Sequence, residues 1–117
     1  MSGNINFNGW LNDDGTENYK CRAWVSFNGT GTVAIRAAGN VSSITDLGAG
    51  QYRANFATAM PDGNFCTTVA CSGGGSAWIA SMGSDIGYPA TTSVGLQSGY
   101  PNSWAVDAPY IMCAVFR

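Results

Sequence analysis

At 117 residues, 45% of them hydrophobic and only 10% charged, the chain has the length of one domain with a core of moderate size, since folding at this length hides roughly 65% of the unfolded surface. Five basic residues face seven acidic ones, and no Lys/Arg run marks a phosphate-binding footprint, so nucleic acid is not expected as a partner. No apolar stretch is long enough to span a bilayer as a helix, and the opening residues lack the basic and apolar regions of a signal peptide, so a chain made in the cytoplasm without membrane insertion is expected.

Residues 1 to 18 are rich in Asn, Asp and Gly and carry Ile5, Phe7, Trp10 and Leu11 with no sustained period of 2 or 3.6, which reads as an extended arm. Its four apolar residues are candidates for anchoring on another protein; the competing reading packs them on their own domain. From Tyr19 the pattern alternates, with Tyr19, Cys21, Ala23, Val25 and Phe27 on one face and Lys20, Arg22, Trp24 and Ser26 on the other, so a half-buried strand is expected. Asn28-Gly29-Thr30-Gly31 then turns the chain into a second alternating run through Val33 and Ile35, making a hairpin.

Val41 to Thr45, the turn Asp46 to Gly50, and Gln51 to Phe56 with Tyr52, Ala54 and Phe56 on one face predict a second hairpin. Met60-Pro61-Asp62-Gly63-Asn64 is the next bend, followed by a strand from Phe65 to Cys71. Ala77 to Met82 and Thr91 to Leu96 are weaker strand signals, and Gln97 to Pro109 reads as a long loop. The chain closes on Tyr110 to Arg117, apolar on both faces, so a strand covered on both sides is expected. No window carries helical periodicity, and strands recur about every 8 to 12 residues with Gly or Pro between them. The predicted fold is all-β: a β-sandwich or flattened barrel of about seven or eight antiparallel strands over residues 19–117, behind an arm over residues 1–18.

Histidine is absent, which removes the commonest general base, the usual nucleophile pairs and the commonest metal ligand. The carboxylates Asp13, Asp14, Glu17, Asp46, Asp62, Asp85 and Asp107 fall mostly in turns, where Asp is favoured for accepting backbone N–H bonds; a glycosidase would need two of them facing across a cleft. Cys66 and Cys71 lack the second close pair or the His of a zinc site, and residues 12 to 17 lack the alternating ligands of a calcium loop. No catalytic residue, metal or cofactor is expected. Cys21, Cys66, Cys71 and Cys113 allow three disulfide pairings, but reduced thiols are the favoured reading, with Cys21, Cys66 and Cys113, which lie in apolar β-runs, acting as small buried hydrophobes. Asn28-Gly-Thr and Asn40-Val-Ser match the glycosylation pattern, and turn formation accounts for them. Trp78 and Tyr110 are assigned to the core. Tyr88, Tyr100 and Trp104, flanked by small polar residues and Pro, are candidates for stacking on a sugar face or a protein.

The run Cys21-Arg-Ala-Trp-Val-Ser-Phe-Asn-Gly-Thr-Gly-Thr-Val-Ala-Ile-Arg36, then Asn40 to Asp46, Gly48, Gly50, Tyr52 and Asn55 to Asp62, resembles a β-module of tail-fibre and related virion proteins of tailed bacteriophages. The closing Ala114-Val-Phe-Arg117 resembles the last strand of that module. The similarity covers about residues 21 to 65 and 110 to 117, with a stretch that is variable in the family between the two. It implies a β-rich homotrimer located in the virion, bound to other tail, fibre or capsid proteins, with the late loops presented to a host surface glycan or protein. The arm is too short to be a fibre shaft, so a separate tip or a decoration protein anchored through residues 1–18 is expected. A cement or capping protein without receptor contact is the alternative, and a polysaccharide-degrading spike is the alternative of another class.

Overall fold

In the computed structural model the described residues are 3–6, 9–16, 21–73, 79–82, 90–101 and 105–117. Their regular structure is β throughout: β1 (Gly3–Asn6), β2 (Gly9–Asn12), β3 (Cys21–Asn28), β4 (Ala34–Gly39), β5 (Val41–Gly48), β6 (Gln51–Phe56), β7 (Cys66–Ser72), β8 (Ile79–Met82), β9 (Ser93–Gly99) and β10 (Tyr110–Phe116). Eight of these form two antiparallel four-stranded sheets, ordered β4-β3-β10-β7 and β5-β6-β9-β8, which is the expected sandwich.

The core is what alternation predicts. Ala23, Val25 and Phe27 of β3 and Ile111, Cys113 and Val115 of β10 meet Tyr52, Ala54 and Phe56 of β6 and Val94 and Leu96 of β9, all buried. Edge-to-face rings lock both ends: Phe27 on Tyr52 at 5.3 Å and Phe56 on Phe65 at 5.8 Å, the offset geometry that a ring quadrupole favours.

The chain changes sheet at Asn40, the one residue between β4 and β5. Its φ is 55°, a left-handed conformation that Asn tolerates. Its side chain then braces the corner, with Nδ2 donating to Arg22 O at 3.1 Å and Thr58 O at 3.0 Å, and Oδ1 accepting from Thr58 N at 2.6 Å. Asn28 makes the other turn: its Oδ1 accepts from the Thr30 amide and hydroxyl.

Within the expected arm, β1 and β2 pair antiparallel, with Ile5 opposing Trp10 and Asn4 opposing Leu11, and two sequence expectations elsewhere need correction. Phe7 lies outside the described residues. The loop expected from Gln97 begins later, because β9 runs to Gly99, and the later segment is tied down. Val106 N donates to Ser98 O, Ser98 Oγ donates to Val106 O, Gly29 N donates to Ala108 O, and Ala108 is fully buried. Finally, β10 is covered on one side only: Tyr110, expected in the core, is 50% exposed, and Met112 and Phe116 beside it are open as well.

Candidate functional site

The outer surface of the β4-β3-β10-β7 sheet follows from the position of β10. The last strand inserts between β3 and β7, and period-2 alternation sends Ile111, Cys113 and Val115 inward and leaves Tyr110, Met112, Ala114 and Phe116 outward. Register then builds rows across the sheet. Gly39, Trp24, Ala114 and Thr68 form one row, Ala37, Ser26, Met112 and Ala70 the next, and Cys66 stands beside Phe116 at the end.

The surface so made is apolar and uncharged across its centre. Trp24 is 44% exposed, Met112 40% and Phe116 41%. Beside Trp24 and Met112 lies a shallow depression of about 330 Å³ whose lining includes Ser26, Thr68, Ala70 and Ala114. Trp24 lies against its register partner Gly39, where an added Cβ would overlap the indole Nε1. A side chain at position 39 would therefore displace the indole, which covers backbone that a β-strand glycine leaves bare.

Charges sit at the rim. Arg36, at a register shift in the β3–β4 ladder, stacks its guanidinium 4.3 Å from the Tyr110 ring centroid and donates to Pro109 O at 2.6 Å. At the other end Arg117 forms a two-point pair with Asp62, Nε to Oδ1 at 2.9 Å and Nη2 to Oδ2 at 2.8 Å, while Arg22 Nε donates to Arg117 O at 2.7 Å. The Arg117 guanidinium holds the Asp62 carboxyl at about 2, with help from the Asn64 amide. An apolar centre inside a polar rim is the anatomy of a protein–protein interface.

Among the described carboxylates, the bonds are local or structural. Asp14, Asp46 and Asp62 each accept the backbone N–H two residues on, and the Thr16 hydroxyl bond lowers the Asp14 carboxyl below its usual value. Asp107 accepts from Tyr52 Oη and Gly50 N, both at 2.7 Å. Glu17 and Asp85 lie outside the described residues. None of the four cysteines is joined in a disulfide. The expectation of buried cysteines fits Cys113, which burial pushes up to about 12; Cys71, half-buried, is also raised by burial. That expectation fails for Cys21 and Cys66, which are exposed.

Of the candidate recognition residues, Tyr100 is half-buried next to exposed Pro101; Tyr88, Trp104 and also Trp78 lie outside the described residues. Ile5, Trp10 and Leu11 stand on the β1–β2 hairpin, apart in sequence from the sheet face. That face was missed by sequence reasoning. The available signal was Trp24 on the expected solvent side of its strand, in line with a last strand apolar on both sides. Comparison with protein-family models, with characterised proteins and with solved structures finds no match to this chain.

Proposed function

We propose that the chain is a structural module of a bacteriophage particle, a fibre tip or decoration β-sandwich whose role is assembly with other proteins of the virion. The observation that carries this reading is the uncharged outer face built by Trp24, Met112, Ala114 and Phe116, because monomeric soluble proteins seldom leave so continuous an apolar surface to water. The resemblance of residues 21–65 and 110–117 to virion β-modules supports the particle as the setting. The arm over residues 1–18 supplies anchoring through Ile5, Phe7, Trp10 and Leu11, and the late loops carrying Tyr88, Tyr100 and Trp104 contact a host surface glycan or protein.

Antibody labelling of purified particles tests the reading. Labelled particles are expected; a chain found only in the unassembled fraction overturns it. Deleting residues 1–18 should then remove the label, and full retention overturns the anchoring role. Purified chain should bind intact host cells, whereas a cement protein without receptor contact would show no binding.

A further inference from the structure

We propose that β4 (Ala34–Gly39) accepts an extended strand from a different protein, which pairs along its free main-chain edge and covers the core side of the sandwich there. The strand that fits is an uncharged segment matching the six residues of β4, with apolar residues at alternate positions. This is a second contact surface, separate from the outer face described above, and it does not depend on the particle as its setting.

Register shows what this edge lacks. Ile35 pairs with Phe27 and Ala38 with Val25, so both stand on the core side of the sheet, on either side of the bulge at Arg36. Phe27 and Val25 are fully buried, yet Ile35 is 37% exposed and Ala38 is exposed too. The core therefore stops at β3, and the core side of β4 has little over it. On the neighbouring edge of the other sheet, Val41 and Ile44 of β5 pair with buried Phe56 and Ala54 but are themselves only half-buried. β4 and β5 follow one another in the chain, yet each pairs only with its inner neighbour, β3 or β6, so the sandwich stands open along this side. At the opposite edge Thr67, Val69 and Cys71 of β7 are half-buried, and that side is better closed.

The edge is also poorly guarded. An edge strand presents unpaired N–H and C=O groups, and proteins shield them with charges, prolines, bulges or short strands. β8 has only four residues, and β5 has two register shifts and carries Asp46. β4 has its bulge, but its one charge is drawn off the edge: the Arg36 guanidinium stacks 4.3 Å from the Tyr110 ring centroid and donates to Pro109 O at 2.6 Å. Ala, Ile and Gly remain along the strand. Every described strand already has a partner, so none is spare to fill the place. A second copy fits poorly, because two β4 edges meeting antiparallel set bulge against bulge and bring Arg36 towards Arg36. A strand from another protein carries neither cost.

The test is hydrogen exchange on the whole purified chain, read at β4 by mass spectrometry. The probe is a synthetic peptide of alternating Val and Thr, with a terminal Lys pair for solubility. At about 1 mM, roughly ten times a Kd of about 100 µM, it should slow exchange of the β4 amides at least about fivefold. The same peptide N-methylated throughout keeps its side chains but loses its edge donors, and it should give no protection. Ile35→Asp and Ala38→Asp each set a carboxylate on the core side of the edge and should weaken binding at least about tenfold, with unchanged far-ultraviolet circular dichroism. Ser72→Asp, exposed at the end of β7, is the charge control and should bind as wild type. Should either edge variant fail to fold, the pair of peptides on wild type still decides. Protection by both peptides or by neither overturns the inference, as do folded edge variants that bind like wild type. Protection of β4 without peptide that rises with chain concentration means a second copy at the edge, and it too overturns the inference. Particle labelling is read separately: a chain that labels particles but binds no strand sinks this inference alone, and a strand-binding chain absent from particles sinks the particle reading alone.

Discussion

The Tyr52 hydroxyl stands 2.7 Å from Asp107 Oδ1, joining residues 55 positions apart in the sequence at one end of the sandwich. The single phenolic proton faces two acceptors, the Asp107 carboxylate and Gly29 O at 2.9 Å. Asp107 Oδ1 also accepts from Gly50 N. One buried ring thus ties the β3–β4 turn, the β5–β6 turn and the segment leading into β10. Burial, and next the Asp107 hydrogen bond, push the Tyr52 phenol well above its ordinary value.

Tyr52→Phe removes the hydroxyl and leaves Gly29 O and one site on Asp107 without their donor. A buried acceptor deprived of its partner costs on the order of 1–3 kcal/mol, so urea unfolding should show a loss in that range with little change in slope. A loss under about 0.5 kcal/mol, the size of an ordinary surface substitution, would contradict the role given to this bond.

Gly29→Ala attacks the same junction sterically. A Cβ at Gly29 would overlap Tyr52 Oη and Ile111 Cδ1, and both side chains are fully buried, so they cannot swing away. Overpacking of this kind costs about 1–3 kcal/mol. Gly31→Ala is the contrasting variant: space is open there, but φ is +59°, so its cost is backbone strain alone. Thermal unfolding should rank the two with Gly29→Ala the lower, and the reverse order would refute the steric argument.

The Asp62–Arg117 pair sets an acid-side dependence. Asp62 falls from an ordinary 3.8 to about 2 in the folded chain, so its contribution is fully present above the unfolded value and is lost as pH falls from about 4 towards 2. Both side chains are more than a third exposed, so the effect is modest and salt-sensitive. The stability gap between wild type and Asp62→Asn should shrink over that window and at high ionic strength. A gap constant from pH 5 to about 2 would exclude the linkage.

Thiol chemistry should divide the cysteines by environment. Cys21 and Cys66 are exposed and should react with a disulfide reagent in the folded protein, while Cys113, buried and raised to about 12, should react only on unfolding. Because that pKa is raised, its contribution to stability is present below the unfolded value near 9 and lost as pH climbs towards 12. Mass spectrometry of alkylated peptides reads the order, and early modification of Cys113 would count against a closed core.

Much of the sandwich was legible because alternation is a local signal. Ala23, Val25 and Phe27, and Tyr52, Ala54 and Phe56, occupy the buried faces their spacing assigns, and the Asn and Gly turns connect β3 to β4 and β5 to β6 as read. The arm was less legible. Its β1–β2 hairpin carries only a few apolar residues among Asn and Gly, too few to establish a period.

By itself, the sequence determined which residues alternate, where the chain turns and that β10 is apolar on both sides. Only the tertiary structure decided that β10 lies between β3 and β7 and that Asp107 reaches Tyr52. It also decided that the second apolar side of β10, with Tyr110, Met112 and Phe116, faces outward beside Trp24. The physical reason is that a period of two states that a strand has two faces, whereas which of them is covered depends on the strands and sheets that distant segments bring alongside.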